Sequence, residues 1–277
     1  MNELISITPK EFQNIRTLVY KNVGINLTDQ KQSLVASRLQ KILREYGFTN
    51  FKQYYDYVIS DTTGQALSTL VNRISTNHTF FYRENDHFKY LSQRVLPELA
   101  MRLKSEKNLR IWCAGCSSGE EPYTLAMLLL EYFGKDMLFW KVGILATDIS
   151  TNVLETAKRG KYDEENIRHL PPEFVEKYFT RIGNDSWQVR DNLKKVVLFK
   201  RLNLLRESYP FKGTFNIIFC RNVMIYFDKV TREGLIQRFY RYTEPGGYLF
   251  TGHSESIGRG KRLFRYLQPA VYVKDKK

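Results

Sequence analysis

The sequence predicts an α/β protein in which a parallel sheet follows a small all-α domain. Within residues 109–133 an apolar run, a glycine-containing loop and an amphipathic helical pattern follow one another directly. Short apolar runs that end in polar residues recur later in the chain, whereas residues 1–75 have helical periodicity throughout. A strand, a loop and a helix in that order form the first unit of a parallel sheet, which binds ligands at the carboxyl ends of its strands.

The first 75 residues are predicted to form a compact helical domain. Thr8-Pro9-Lys10-Glu11 supplies an N-cap, a proline in the first turn and an early acid, so a helix should begin there. A second helix is predicted from Asp29 to Tyr46, ending at Gly47. Its apolar stripe faces one side and its basic residues face the other. An ordinary solvated face and a docking surface for an acidic partner explain these basic residues equally well. They are Lys31, Arg38, Lys41 and Arg44.

The glycine loop after the first predicted strand has two functional interpretations, and a tight turn that binds no ligand is the alternative to both. Gly115-x-Ser117-x-Gly119 fits the nucleophile elbow of a serine hydrolase, and it also fits the looser glycine loop of S-adenosylmethionine-dependent methyltransferases. An elbow usually follows several strands, but the preceding residues are helical. Glu120 and Glu121 beside the loop would repel a phosphate, whereas they suit a ligand that carries an ammonium or a sulfonium. The context favours the methyltransferase loop.

Polar residues end two further predicted strands. The run from Val142 to Thr147 ends at Asp148, where nucleotide-binding α/β proteins accept hydrogen bonds from ribose hydroxyls, although a helix cap is the alternative explanation. The apolar run from Phe215 to Cys220 is followed by Arg221-Asn222 at the ligand edge. Between them, residues 186–189 and 196–200 are predicted to pair as a hairpin. A strand at 271–273 is predicted to complete a C-terminal hairpin.

Composition limits the other function classes. The 277 residues have 43 lysines and arginines against 29 acids, a net charge of +14 that favours acidic partners of any kind. Three cysteines, an odd number, argue against a disulfide framework and for a reducing cytosol. Because one C-x-x-C has no second ligand pair, we expect no metal. We find neither a signal peptide nor a membrane-spanning run, so we expect a cytoplasmic protein.

With these elements in order, the chain resembles the chemotaxis receptor methyltransferases of the CheR type. Five motifs carry the resemblance, in the expected order over nearly the whole chain: NHTFFYRE from Asn77, AGCSSGEEPYT from Ala114, ATDIS from Ala146, IFCRNVMIYFD from Ile218 and TGHSES from Thr251.

The resemblance implies a class I S-adenosylmethionine-dependent methyltransferase fold, a Rossmann-like sheet with a C-terminal hairpin. It further implies a receptor-docking helical domain at 1–75, a linker at 76–90 that contributes to the cofactor site, and a methyltransferase domain at 91–277. A small β insertion is expected at about 161–200.

The implied activity is transfer of a methyl group from S-adenosylmethionine to glutamate side chains on the helical cytoplasmic domain of chemoreceptors, leaving S-adenosylhomocysteine. Arg83 and Tyr226 are implied to face the reacting centre, and Arg38, Lys41 and Arg44 to dock the receptor. Cofactor contacts are implied at Asn77, Thr79, Arg83, Glu121, Asp148, Asn203, Leu204, Arg221 and Asn222.

Two other function classes remain as alternatives. The net charge invites a nucleic-acid methyltransferase, but the [DNS]-P-P-[YFW] signature of amino-methylating enzymes is replaced here by Cys220-Arg221-Asn222-Val223. A non-catalytic S-adenosylmethionine-binding module is disfavoured because Arg83 and Tyr226 are retained. We therefore expect a chemoreceptor partner, no nucleic acid, no membrane insertion and a monomer.

Overall fold

The computed structural model describes residues 4–75, 78–257 and 263–276. The chain divides into two compact units. The first comprises Met1–Thr76 and Tyr226–Thr231, and the second comprises Asn77–Ile225 and Arg232–Lys277. A short segment near the end of the chain thus belongs to the N-terminal unit. Tyr226 therefore belongs to the first unit.

The first unit is helical, as predicted. Its helix α1 begins after Thr8, whose side chain and backbone exchange hydrogen bonds with Glu11 in a capping box. Helix α2 follows a single 3₁₀ turn at Asp29–Lys31 and ends at Gly47, whose φ of 71° is left-handed. In the predicted apolar stripe of α2, Val35, Leu39 and Ile42 are buried, whereas Tyr46 at its end is 54% exposed. The four helices described in this unit are α1 (Pro9–Val23), α2 (Gln32–Tyr46), α3 (Phe51–Ser60) and α4 (Gln65–Ile74).

The segment Tyr226–Thr231 is tied to the first unit by specific contacts. The backbone N–H of Asn26 donates to the Tyr226 carbonyl at 2.8 Å. The Tyr20 hydroxyl donates to Asp228 Oδ2 at 2.5 Å. Lys31 Nζ lies 5.4 Å from the centroid of the Tyr226 ring, within cation–π range. These contacts fix the backbone and ring of Tyr226 on the helical unit.

The second unit is built on a seven-stranded sheet. Before its first strand, this unit has two helical segments, Asn85–Tyr90 and Leu96–Arg102. A π-helical turn at Leu91–Val95 joins them. The helices are α5 (Asn85–Tyr90), α6 (Leu96–Arg102), α7 (Glu120–Phe133), α8 (Thr151–Arg159), α9 (Glu164–Ile167), α10 (Pro172–Tyr178), α11 (Asp191–Lys194) and α12 (Lys229–Tyr242). The strands are β1 (Asn108–Ala114), β2 (Lys141–Asp148), β3 (Lys161–Asp163), β4 (Phe179–Arg181), β5 (Ser186–Val189), β6 (Val197–Arg201), β7 (Phe215–Cys220), β8 (Thr243–Thr251), β9 (Arg265–Gln268) and β10 (Val271–Val273).

The order of the strands identifies the edge of the sheet at which a ligand is expected to bind. The sheet runs β6-β2-β1-β7-β8-β10-β9, and the first five strands are parallel. From β1 the chain moves outward through β2 to β6 and then returns to the other side of β1 with β7. The topological switch point is therefore between β1 and β7, where α/β sheets bind ligands. Residues that follow β1, β2 and β7 meet at this edge.

The C-terminal hairpin is confirmed, because β10 pairs antiparallel with β9 and also with β8. The predicted hairpin of 186–189 with 196–200 is wrong. Strand β5 instead pairs with β3 and β4 in a separate three-stranded sheet, and β6 pairs in parallel with β2 in the main sheet. A short strand does not specify its partner by its own residues, so the local sequence did not distinguish the two pairings. The β insertion is therefore present as this small three-stranded sheet. It ends at Val189, before β6.

Candidate active site

The loop after β1 has a conformation that its small residues permit. Gly115, Ser117 and Gly119 have φ values of 86°, 47° and 101°, all in the left-handed region. A Cβ at Gly119 would lie 2.8 Å from both Ala157 Cβ and the Tyr162 hydroxyl, and one at Gly115 would overlap Val223 Cγ2. Both glycines are therefore required for close packing as well as for the turn.

Both loop serines donate hydrogen bonds to carboxylates. The Ser117 backbone N–H donates to the Asp148 carboxylate, and Ser118 Oγ donates to the buried Glu120 carboxylate at 2.7 Å. Burial raises the pKa of Glu120. Both serines therefore stabilise the loop, Ser117 through its backbone N–H and Ser118 through its hydroxyl.

Asp148 joins the ends of β1 and β2. Its Oδ2 accepts the Ser117 backbone N–H at 2.9 Å, and its Oδ1 accepts that of Ser150 at 2.9 Å. The N-cap of α8 is Ser150 and not Asp148, so the carboxylate is not explained by helix capping. Burial raises the pKa of Asp148, and the backbone donors oppose that shift. A carboxylate has about four acceptor positions, so this one retains capacity for a ligand hydroxyl.

Arg221, directly after β7, is the buried cation of the site. Its side chain is 2% exposed, and Nη1 lies 3.0 Å from Glu121 Oε2 while Nη2 lies 3.2 Å from Glu84 Oε2. Nη2 also donates to the Arg83 carbonyl, and the guanidinium lies 5.0 Å from the centroid of the Phe88 ring. One guanidinium thus connects α7, the residues before α5 and the end of β7.

The two carboxylates around Arg221 differ in their surroundings. Burial raises the pKa of Glu121, and Arg221 opposes this shift, while Oε1 accepts a hydrogen bond from Cys113 Sγ at 3.0 Å. For Glu84, burial also favours the neutral form, but hydrogen bonding from Asn222 and the charge of Arg221 outweigh it and lower the pKa. With both carboxylates ionised, two negative charges and one positive charge leave a net charge of −1. Such a cluster attracts a cationic ligand group.

Glu84 and Asn222 hold each other in unusual backbone conformations. Both residues have left-handed φ values, 57° and 58°. Asn222 Nδ2 donates to Glu84 Oε1 at 3.1 Å. The His253 backbone N–H donates to Glu84 Oε2 at 3.4 Å. Glu84 therefore links the ends of β7 and β8, although sequence reasoning did not single it out.

Glu255 is a second carboxylate that the sequence analysis did not identify, and it supports the loop that follows β7. Glu255 is 3% exposed and accepts backbone N–H groups of Asn222, Ile225 and Gly252 at 2.8, 3.1 and 2.6 Å. Burial raises its pKa, and the backbone donors oppose the shift. Glu84 and Glu255 lie inside the NHTFFYRE and TGHSES motifs, which was the only sequence signal for them.

The other predicted site residues are placed as follows. The Arg83 guanidinium donates to the His78 carbonyl at 2.7 Å, while Thr79 lies in the same segment. Asn203 and Leu204 follow β6, and the Leu204 carbonyl accepts the Tyr209 hydroxyl at 2.8 Å. Asn77 lies outside the described residues.

Tyr226 and the predicted docking residues belong to the first unit. Arg38 is half-buried and donates to the Ile74 carbonyl, so it also supports that unit. Lys41 and Arg44 are exposed, and Lys41 lies 3.7 Å from Glu45 Oε1. Of the three docking candidates, Arg38 is therefore the one whose side chain also supports the fold, through the Ile74 carbonyl.

Comparison with known proteins gives consistent matches for both units. Residues 77–273 match the family model described as CheR methyltransferase, SAM binding domain, and residues 10–75 match CheR methyltransferase, all-alpha domain. A chemotaxis protein methyltransferase of Borreliella burgdorferi is 46% identical over 98% of this chain and 96% of its own length. The chemotaxis protein methyltransferase of Escherichia coli K12 is 38% identical over 100% of this chain and 94% of its own length.

The sheet order and the matched cofactor domain define the class, which is the class I S-adenosylmethionine-dependent methyltransferases. Within that class the chain belongs to the CheR family of chemotaxis methyltransferases. S-adenosylmethionine is its cofactor. The glycine loop, the Asp148 carboxylate and the net negative cluster around Arg221 fit that cofactor's ribose and cationic groups. In the described part of the chain, we find no helix that is both long and apolar enough to cross a bilayer.

Proposed function

We propose that this enzyme methylates glutamate side chains on the cytoplasmic helical domain of chemoreceptors, producing glutamate methyl esters for chemotactic adaptation. The observation that carries the proposal is the near full-length similarity to chemotaxis protein methyltransferases, at 46% identity in one case. The enzyme would act in the cytoplasm, as a monomer and without a nucleic-acid partner.

The chemistry of a glutamate acceptor suits the residues of this site. A glutamate side chain is already ionised at neutral pH, so no general base is needed to activate it. S-adenosylmethionine supplies an electrophilic methyl group on a sulfonium. A carboxylate oxygen forms the new C–O bond as the C–S bond breaks, and the C–S electron pair stays on sulfur. Because opposite charges neutralise each other in this step, a site that excludes water favours it, and orientation contributes much of the rate.

In this proposal the residues at the strand ends bind the cofactor. Glu121 attracts the ammonium or sulfonium, held in place by Arg221, and Asp148 accepts the ribose hydroxyls. The contacts of Arg221 with Glu84 and Glu121 and those of Asp148 with the glycine loop support these roles. Further cofactor contacts are proposed at Asn77, Thr79, Arg83, Asn203, Leu204 and Asn222.

The substrate carboxylate is assigned to two other residues. We propose that the Tyr226 hydroxyl donates a hydrogen bond to one carboxylate oxygen, which leaves the other oxygen directed at the methyl group. Arg83 is proposed to position the substrate. A cation bound directly to the attacking oxygen would reduce its nucleophilicity, so its proposed role is positioning.

The receptor is proposed to dock on the basic side of α2 through Arg38, Lys41 and Arg44. The target glutamates are themselves anionic, so a basic surface would attract the segment that carries them. The exposure of Lys41 and Arg44 supports this assignment.

Transfer of tritium from labelled S-adenosylmethionine to chemoreceptor-containing membranes tests the proposal. We expect label in the receptor band and its release as volatile methanol in mild alkali, because a methyl ester is hydrolysed there and an N-methyl group is not. Membranes that lack the receptor serve as the control. Label in added RNA or DNA would overturn the proposal in favour of a nucleic-acid methyltransferase. Cofactor binding without transfer to any acceptor would indicate a non-catalytic module.

A further inference from the structure

Two potential metal ligands at the start of α5 and a third that follows β8 converge beside the cofactor site. Glu84, His87 and His253 each offer one ligand atom, and these atoms all lie within 4.8 Å of one another. We propose that they form a binding site for a first-row divalent cation of the Zn²⁺ type. Imidazole nitrogens with one carboxylate oxygen are a donor set that suits such ions. The proposal does not depend on which acceptor the enzyme methylates.

The strongest support comes from His87, a buried side chain whose contact with the Pro269 carbonyl does not have the geometry of an ordinary hydrogen bond. It is 1% exposed, and neither ring nitrogen makes a hydrogen bond of ordinary geometry to any described residue. Buried polar side chains nearly always have such partners, so the exception requires an explanation. His87 Nδ1 lies 3.5 Å from Glu84 Oε2, beyond hydrogen-bond contact. A cation between the two atoms would give His87 Nδ1 the partner that it lacks, while Glu84 Oε2 already accepts from Arg221 and from the His253 backbone.

One of the three spacings is close to that of a metal site, and all the ligand atoms lie within 4.8 Å of one another. Ligand atoms about 2.0–2.2 Å from one tetrahedral ion are roughly 3.4 Å apart, which matches the separation of His87 Nδ1 and Glu84 Oε2. The centroids of the His87 and His253 rings are 4.6 Å apart with an interplanar angle of 71°, so the two rings do not stack face to face. The exposed His253 side chain is free to adjust its rotamer toward the ion.

The charges around this site both favour and oppose the binding of a cation. Burial, together with Arg221 and His253, lowers the pKa of His87 to about 4, although Glu84 and the Pro269 carbonyl oppose the shift. A metal ligand must be a neutral imidazole, which is also the main form of an ordinary histidine at pH 7. Arg221 shares Glu84 Oε2 at 3.2 Å and repels a cation. We accordingly expect weaker binding than at a structural zinc site that has no neighbouring guanidinium.

The position of the site also provides access for an ion. His87 is buried and Glu84 is mostly covered, but His253 is exposed, so the ion would enter from the solvent side. Three protein ligands leave a fourth position for water, as in other His₂Glu sites. A bound ion would connect the start of α5 with the residues after β8.

Metal titration of tag-free protein tests the proposal, since the chain has only four histidines. Calorimetry with Zn²⁺ should show one site per chain, and Co²⁺ should give the visible d–d absorption of a four- or five-coordinate ion. His253→Ala removes an exposed ligand and should fold normally. We expect it to weaken Zn²⁺ binding by at least about tenfold, because even the loss of an outer-shell partner commonly weakens binding by 10- to 100-fold.

His169→Ala is the matched control, because His169 is also an exposed histidine outside the cluster. Unchanged Zn²⁺ affinity in His253→Ala, or an equal loss in His169→Ala, would overturn the proposal. So would a sulfur-to-cobalt charge-transfer band, because it would assign the ion to a cysteine. Binding of S-adenosylhomocysteine to the same sample is measured in parallel. If that product binds and Zn²⁺ does not, the metal site fails while the methyltransferase assignment stands.

Discussion

Arg221 Nη1 lies 3.0 Å from Glu121 Oε2, and both side chains are largely buried at the switch point of the sheet. Removing a buried partner leaves an uncompensated charge, so neither residue is dispensable for the geometry of the other. The pair is not neutral overall, because Glu84 adds a second carboxylate to the same guanidinium. This excess of one negative charge is the physical basis for assigning the cationic part of the cofactor to this place.

Lowering the pH is expected to weaken binding of S-adenosylhomocysteine, and the weakening should begin above pH 4.5, the ordinary pKa of a glutamate. Burial raises the pKa of Glu121, so the carboxylate takes up its proton at a higher pH, and the neutral form no longer attracts an ammonium. Calorimetric dissociation constants between pH 7 and about 5 measure the effect. Glu121→Gln should bind weakly and with a smaller pH dependence, the remainder coming from Asp148, whose pKa burial also raises. An unchanged pH dependence in that variant would assign the titration to another group.

Asp148→Asn is expected to weaken cofactor binding by roughly 10- to 100-fold, since a hydrogen bond to a charged group contributes about 1.5–3 kcal/mol. The amide retains the shape of the side chain but removes the charge and directs an NH₂ group at backbone donors. Equilibrium binding of S-adenosylhomocysteine measures the change. Asp136→Asn, at an exposed aspartate, is the control. Equal affinity in both variants would contradict a role of Asp148 in ribose binding.

Glu255→Gln is expected to lower the free energy of unfolding by about 1–3 kcal/mol, because three backbone N–H groups converge on the carboxylate and Gln offers one oxygen. As a positioning residue, Glu255 should also affect cofactor affinity through Asn222. Denaturant unfolding and product binding measure the two effects. Glu233→Gln on the exposed side of α12 is the control. If product affinity is unchanged while stability falls, Glu255 has only a structural role.

Tyr226→Phe is expected to lower kcat by up to about 100-fold while cofactor affinity is largely retained, because a positioning contact acts on substrate orientation. Initial rates on chemoreceptor membranes and product binding separate the two quantities. Tyr266→Phe, at a tyrosine that is 58% exposed, is the control. A large loss of cofactor affinity in Tyr226→Phe would reassign the residue to cofactor binding.

The double change Lys41→Ala and Arg44→Ala is expected to lower kcat/KM for the receptor and to reduce its dependence on salt, with product affinity unchanged. Two exposed cations are lost from α2, and neither has the backbone contact that Arg38 makes. Lys158→Ala with Arg159→Ala removes the same charge from α8 and serves as the control. If both double variants respond alike, net charge and not the α2 surface attracts the receptor.

Local sequence was sufficient for the parts of the site that lie on one continuous unit. The β1 strand, the glycine loop and α7 were predicted from apolar periodicity and small residues, and Asp148 and Arg221 were predicted from their positions at strand ends. Periodicity did not predict the partner of a short strand. For that reason residues 186–189 were wrongly paired with 196–200.

The sequence by itself determined the fold class, the family and the polar residues at the carboxyl ends of the strands, because each depends on short-range pattern. Only the tertiary structure decided that Glu84 meets Arg221 across 137 positions, that Glu255 supports Asn222 and that His87 faces His253. These relationships arise when the parallel strands bring distant chain segments to one edge of the sheet. A carboxylate's partner there is set by strand order and register, and neither is encoded in its neighbours along the chain.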